Sequence, residues 1–227
     1  LGCNTLEELQ TLERAYHLSV AKKHLNTGVL FANIERVTFR GDVTIERGAF
    51  IDENVIFEGE VFIGSGAKIG PGCIVHNSSI GKNVELLAYT LVEESVLEKN
   101  AKAGPFAHVN VQTKMDEGAE IGNFVEVKRS HIGANSKAKH LTYIGDAKIG
   151  KGVNIGAGTI FCNYDGKNKN QTIIEDGTFI GSNSSLVAPL RLGEGSYTGA
   201  GSVITKNIPK GKLGVGRGKQ VNLNKKK

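Results

Sequence analysis

The chain has 227 residues, 30 of them glycine and 4 proline, with no tryptophan and a formal charge of +5. That length supports a substantial core held in one repeat array rather than two globular domains. Cys3, Cys73 and Cys162 are too few and too scattered for a disulfide framework or a zinc cluster. No apolar run approaches ~18 residues and no signal-peptide pattern opens the sequence. A reducing cytoplasm is the expected compartment, without membrane insertion.

The first predicted element is a helix within residues 5–28. Leu6, Leu9, Leu12, Ala15, Tyr16 and Val20 form one apolar stripe at helical spacing. Thr5-Leu6-Glu7-Glu8 has the form of a capping box, and Asn26-Thr27-Gly28 supplies the C-terminal stop. A repeat array follows over residues 37–206. Ile45, Ile51, Phe57, Ile63, Ile69 and Val75 fall six apart, as do Ile180, Leu186, Leu192, Thr198 and Ile204, often with a glycine next in line. A period of six fits neither a helix nor a long alternating strand, but it fits a parallel β-helix in which three hexads close one triangular coil. At ~18 residues per coil the array holds on the order of nine coils. Residues 207–227 form a basic tail without repeat character: Lys206, Lys210, Lys212, Arg217, Lys219 and Lys225 to Lys227 gather around it. A basic tail attracts anions, but no aromatic residues interleave with the cations, so nucleic acid is not the expected partner. Lys225 to Lys227 read as a solvated end.

The period is interrupted twice. Ile144-Gly145 to Ile149-Gly150 is a step of five, and between Phe161 and Thr172 the pattern gives way to a polar insertion that must leave the coil as a loop. Polar loops on a rigid scaffold commonly carry binding residues. Just before these breaks, His140, Thr142, Tyr143 and Asp146 crowd into seven positions. Taken singly, the residues have plainer readings. A lone His in a repeat is usually a surface residue, Lys128 reads as a solvated outward position, Asn154 suits a left-handed corner, and Ala157, Ser182 and Ala200 suit tight turns.

Taken together they resemble one family. Lys137-Ala138-Lys139-His140-Leu141-Thr142-Tyr143-Ile144-Gly145-Asp146, Val153-Asn154-Ile155-Gly156-Ala157-Gly158-Thr159 and Cys162-Asn163-Tyr164-Asp165-Gly166-Lys167-Asn168-Lys169 are similar to motifs of the bacterial bifunctional N-acetylglucosamine-1-phosphate uridyltransferases/glucosamine-1-phosphate N-acetyltransferases. The resemblance covers the whole chain but only the C-terminal, acetyltransferase half of those proteins. It implies an all-β, left-handed parallel β-helix, a homotrimer with sites between subunits, and transfer of acetyl from acetyl-CoA to glucosamine 1-phosphate in the UDP-N-acetylglucosamine pathway. His140 is then the general base, a task that suits an imidazole because its ordinary pKa lies near working pH. Lys128, Tyr143, Asn154 and Glu126 are the expected sugar-phosphate residues. Ala157, Asn163, Tyr164, Lys169, Ser182, Ala200 and Arg217 are the expected acetyl-CoA residues, Arg217 offering a forked donor to phosphate. Backbone N–H groups near Asn154 to Gly158 are the expected stabilisers of the thioester oxyanion.

Two departures stand out. Asn110, in His108-Val109-Asn110, occupies a position where the family carries arginine. It cannot make a bidentate phosphate contact, which leaves Lys128 or Lys114 to supply the charge and predicts a raised KM for the sugar phosphate. Residues 1–4 resemble the end of the uridyltransferase half, and Asn4 matches a magnesium ligand of it. One amide oxygen cannot hold magnesium, so Asn4 is expected to be a remnant, with Mg2+ needed only in the half this sequence does not include. Competing functions are another hexapeptide-repeat acyltransferase, a noncatalytic trimeric scaffold, and a γ-type carbonic anhydrase. The last needs three zinc-binding histidines, and His76, His108, His131 and His140 lack the required close pair.

Overall fold

The computed structural model describes residues 2–222. Helix α1 spans Leu6–Asn26 and begins with the expected reciprocal cap: Thr5 Oγ1 accepts from Glu8 N at 3.2 Å while Glu8 Oε2 accepts from Thr5 N at 3.1 Å. Ala21 is its one fully buried residue. The C-terminal half of α1 closes the first coil, where His17 Nδ1 accepts from Phe39 N at 3.2 Å and the His24 ring stacks on Phe39. The expected apolar stripe therefore does not face the core along its length. The first turns run past the coil, leaving Leu6, Leu9 and Tyr16 exposed.

Beyond α1 the backbone winds as a parallel β-solenoid of about ten turns, matching a left-handed β-helix of hexapeptide repeats. Strands of two to four residues stack into three parallel sheets of 11, 10 and 9 strands, the faces of a triangular prism. The first face runs from Leu30–Phe31 to Leu213–Gly214, the second from Val37–Arg40 to Val203–Ile204, and the third from Val43–Ile45 to Leu190–Leu192. The strand ladder thus starts earlier and ends later than the hexads at 37–206, because end coils pair through backbone without an aliphatic marker. Leu213, for example, pairs with Tyr197 although its side chain is exposed.

Inward positions carry the hexad aliphatics. Ile51, Ile69 and Ile180 on the first face, Phe57, Val75 and Leu186 on the second, and Ile63, Ile80 and Leu192 on the third are all fully buried. Each such side chain contributes roughly 1.5–3 kcal/mol by burial, so the stacked ladders outweigh the weak intrinsic stability of two-residue strands.

The step of five at Ile144 to Ile149 is not an interruption. Val75 to Ile80, Val92 to Leu97 and Val127 to Ile132 make the same step, always where the second face turns into the third. Each of these corners holds one left-handed residue, at Asn77, Glu94, Arg129 and Asp146, as the steps of six at Phe57 to Ile63 and Val109 to Met115 also do at Gly59 and Gln112. The insertion after Phe161 is a true excursion: Phe161 and Thr172 are fully buried, and the chain between them leaves the prism. The loop closes on itself, with Asp165 Oδ1 accepting from Lys167 N and Asn168 N and an antiparallel bridge joining Tyr164 to Lys169. Among the described residues, no helix is long and apolar enough to cross a membrane.

Candidate active site

The edge between the first and second faces gathers residues that lie far apart in sequence. A backbone ladder climbs this edge: Leu141 N donates to Asn123 O, Gly158 N to His140 O, Asn183 N to Ala157 O and Gly201 N to Ser182 O. His140, Ala157, Ser182 and Ala200 therefore form one column, one per coil. The position after each of them is left-handed, at Leu141, Gly158, Asn183 and Gly201. At Gly158 a β-carbon would lie 2.1 Å from Asn183 Oδ1, so glycine permits the coils to stack there. The backbone N–H groups of Ala157, Ser182 and Ala200 have no partner among the described residues, and Ser182 and Ala200 are exposed. Arg217 closes the column, its Nη1 donating to Ala200 O at 2.9 Å.

Below His140 the same edge carries an exposed aromatic stack. Tyr89, Phe106 and Phe124 lie with ring centroids 5.3 and 5.6 Å apart, all in left-handed conformation, and Leu141 continues the row. Bulky residues rarely adopt that conformation, which costs of order ~1–3 kcal/mol each, whereas asparagine or glycine fills the equivalent position at Asn183, Gly158 and Gly201.

On the second face, His108, Glu126 and Tyr143 stack outward in consecutive coils. Asn110 turns its amide to Glu126 Oε1 at 3.4 Å and its carbonyl oxygen accepts from Val111 N, so it steadies the carboxylate. His108 Nε2 lies 2.6 Å from Glu93 Oε2. Lys128 stands beside Gly145 and has no carboxylate partner among the described residues. Among the described residues Arg40, in the first coil of the same face, is likewise without a carboxylate partner, but it lies far from Glu126 and Tyr143 in the stack. Lys114 is not an alternative: it lies on the third face, paired with Glu98 at 3.3 Å and Asp116 at 3.8 Å.

At the far edge of the second face, Arg129 grips Asp146 with both arms, Nε to Oδ1 at 2.7 Å and Nη2 to Oδ2 at 2.8 Å. Asn163, at the root of the loop, donates to Asp146 Oδ2 and to the Tyr143 hydroxyl. The Arg129 guanidinium holds the Asp146 carboxyl below its ordinary value; Asn163 and the charge of Lys169 add to this, and burial opposes it. Tyr143 reaches this cluster by passing over Gly145, where a β-carbon would lie 2.5 Å from its hydroxyl oxygen.

The structure thus brings Glu126, Asn110, Lys128 and Tyr143 onto one face, with His140, Ala157, Ser182, Ala200 and Arg217 along one of its edges and Asn163 at the other. Asn154 lies on the first face, paired with Lys137 and Phe179. Tyr164 and Lys169 extend on the loop, both exposed. Sequence reasoning passed over Arg129 and Glu93, and it named Asp146 only within the crowded run from His140 to Asp146. A signal existed: Arg129, Asp146 and Asn163 lie 17 residues apart, one coil each. Asn4 is exposed ahead of α1, its backbone N–H donating to Glu8 Oε2, and no metal-holding cluster of His, Cys, Asp and Glu occurs among the described residues. All three cysteines are unpaired, and burial pushes the Cys73 thiol up to about 11, which makes it unreactive. A cavity of about 500 Å³ lies on the third face, lined by Asp116, His131, Glu175 and Arg191. It contains none of the expected site residues, and four of its charged or titratable groups are engaged with one another, His131 with Asp116 and Arg191 with Glu175.

Two family models match parts of the chain: the GMPPB C-terminal domain over residues 39–114 and the bacterial transferase hexapeptide (six repeats) over residues 171–206. Bifunctional protein GlmU of Marinobacter nauticus is 45% identical over 98% of this chain and 49% of its own length. Bifunctional protein GlmU of Baumannia cicadellinicola is 47% identical over 96% of this chain and 47% of its own length. The chain belongs to the GlmU family. It spans about half the length of these GlmU relatives. Among solved structures, LpxA from Acinetobacter baumannii overlaps 79% of this chain and 71% of its own at 16% identity, with a TM-score of 0.48; that likeness is too remote to argue from.

Proposed function

We propose that this domain transfers acetyl from acetyl-CoA to the amine of glucosamine 1-phosphate, giving N-acetylglucosamine 1-phosphate. The observation that carries this reading is the column of His140, Ala157, Ser182 and Ala200 on one edge, ending at Arg217, beside a face that presents Glu126, Lys128 and Tyr143. An extended thioester cofactor needs hydrogen-bond donors spaced along its length and a cation at its phosphate end. The unpartnered N–H groups of Ala157, Ser182 and Ala200 and the Arg217 guanidinium are suited to both needs. Lys128 attracts the sugar phosphate, and Glu126, steadied by Asn110, orients the amine. Asn154 completes the sugar site.

His140 Nε2 or Nδ1 accepts the proton that the amine loses as its nitrogen attacks the thioester carbonyl. The carbonyl oxygen gains charge, which the Ala157 N–H stabilises. The C–S bond then breaks and the coenzyme leaves as a thiol, taking up the proton His140 holds. Asn163, Tyr164 and Lys169 close over the cofactor from the loop.

Because Tyr164 and Lys169 leave one edge of the second face while His140 lies on the other, a complete site on this reading takes its loop from a neighbouring copy. The exposed stack of Tyr89, Phe106 and Phe124 supports a homotrimer, since an apolar row of this kind favours burial. A cytoplasmic location follows from the proposed use of acetyl-CoA and agrees with three unpaired cysteines. Thiol release from acetyl-CoA tests the reading: it should require glucosamine 1-phosphate and be absent with galactosamine 1-phosphate or serine as acceptor. Equal release with serine would instead favour another hexapeptide acyltransferase.

A further inference from the structure

We infer that Asp146, held by Arg129, is a positioning residue that fixes the root of the 163–171 loop and the Tyr143 hydroxyl before substrates bind. This rests on the acetyl-transfer reading for its catalytic part, but its structural part stands alone. The eight extra residues between Phe161 and Ile174, relative to the step of five one coil earlier, interrupt the regular corner. An insertion of that size would leave its first residues without a stacking partner. Asn163 instead occupies the place one coil beyond Asp146 and is largely buried, although the residues on either side of it are not.

Three facts make Asp146 the hub. Both of its oxygens accept from Arg129, in the two-pronged geometry that resists rotation of the carboxylate. One of those oxygens also accepts from Asn163 Nδ2, so the amide is oriented by a group that cannot itself turn. The Asp146 backbone carbonyl accepts from Thr172 N, where the chain re-enters the prism. A single residue thus holds both ends of the loop, through its side chain at Asn163 and its main chain at Thr172. Asn163 Nδ2 also donates to the Tyr143 hydroxyl at 3.5 Å. The tyrosine oxygen is then engaged as an acceptor, and its own proton remains available to donate to substrate. Gly145 keeps this arrangement possible, since a β-carbon there would lie 2.6 Å from Asn163 Nδ2.

Loop order that exists before binding lowers the entropy cost of binding. Losing it should therefore raise the KM for acetyl-CoA, which Tyr164 and Lys169 contact on this reading, more than it lowers kcat. Asp146→Asn preserves shape and removes the charge. Amide exchange in residues 163–171 should accelerate roughly tenfold or more, the scale of one charge-assisted hydrogen bond, while exchange in the inner strands stays as in the wild type. The KM for acetyl-CoA should rise roughly tenfold with kcat changed less than about threefold. Arg129→Gln should move both readouts the same way, and Asp146→Asn combined with Asn163→Ala should be no worse than the more damaging single change.

Unchanged loop exchange in both Asp146→Asn and Arg129→Gln would overturn the clamp. Faster loop exchange with an unaltered KM would overturn its role in binding. A wild-type domain that released no thiol would overturn the catalytic part along with the reading it rests on, while the exchange result would still decide the clamp.

Discussion

Gly145→Ala is a small change whose effect can be worked out from the geometry. Gly145 lies in a strand of the second face and does not use a left-handed backbone, so alanine strains nothing locally. The new methyl would lie 2.5 Å from the Tyr143 hydroxyl oxygen and 2.6 Å from Asn163 Nδ2. Ordinary contact begins near 3.4 Å, so both groups must retreat by about 0.8–0.9 Å. Both are the far ends of side chains, which move without disturbing the coil. The loss to folding is then about one hydrogen bond, roughly 1 kcal/mol, or ~2–4 °C in Tm for a chain of this size. The loss to function is larger, because a displacement of about 1 Å at a positioned group costs on the order of a hundredfold. Steady-state thiol release and a thermal melt on the same sample separate the two effects. A kcat/KM within about threefold of wild type, with Tm lowered as expected, would refute the claim that Tyr143 acts from its observed position.

Three further outcomes follow from other parts of the molecule. Asn110→Arg should lower the KM for the sugar phosphate severalfold, because it adds a forked cation beside Glu126 and Lys128; an unchanged KM in steady-state kinetics would show that Lys128 alone meets the phosphate. Burial between α1 and the first coil depresses the pKa of His24 below its ordinary 6.5, with Lys23 adding a small repulsion and a backbone contact at Val43 opposing. The unfolded chain therefore takes up the proton first, so the contribution of neutral His24 is complete above pH 6.5 and is lost as pH falls from there through the lower folded value. His24→Gln should flatten the decline of Tm between pH 7.5 and about 5.5, and an identical decline in both proteins would contradict this. Sedimentation of the wild type should give about 73 kDa, three times the 24.2 kDa of one chain, and Phe124→Ser should shift the population toward monomer because it removes the top of the aromatic stack. A wild type that sediments as monomer at tens of micromolar would remove the proposed shared site.

The prism was legible because its cause is local and periodic. An aliphatic every six positions, with glycine beside it, allows few other structures. The corners were less legible. A step of five at Ile144 looked like a defect, yet the same step at Val75, Val92 and Val127 shows it to be a recurrent turn between two faces, alongside the step of six at Phe57, Val109 and Leu186. Each such corner holds one left-handed residue, and asparagine, glutamate, arginine and aspartate fill it at Asn77, Glu94, Arg129 and Asp146 without any shared sequence mark.

The candidate site was legible only in part for the same geometric reason. His140 and Ala157 are 17 apart, Ala157 and Ser182 are 25 apart because the loop intervenes, and Ser182 and Ala200 are 18 apart. No fixed period links them, although one hydrogen-bonded edge does. Asn110 read as a damaged phosphate contact; its amide instead supports Glu126. Lys114 read as a substitute cation, but alternation places it on a different face with two carboxylates of its own. Arg129 carried no signal by itself, since its partner lies one coil away.

The most direct test of the account is thiol release from acetyl-CoA in the presence of glucosamine 1-phosphate, compared between the wild type and His140→Ala. His140 is exposed and its side chain has no partner among the described residues, so its removal should leave the melt unchanged while kcat falls by roughly a hundredfold to ten-thousandfold, the usual range for a lost general base. Equal rates in the two proteins would contradict the account.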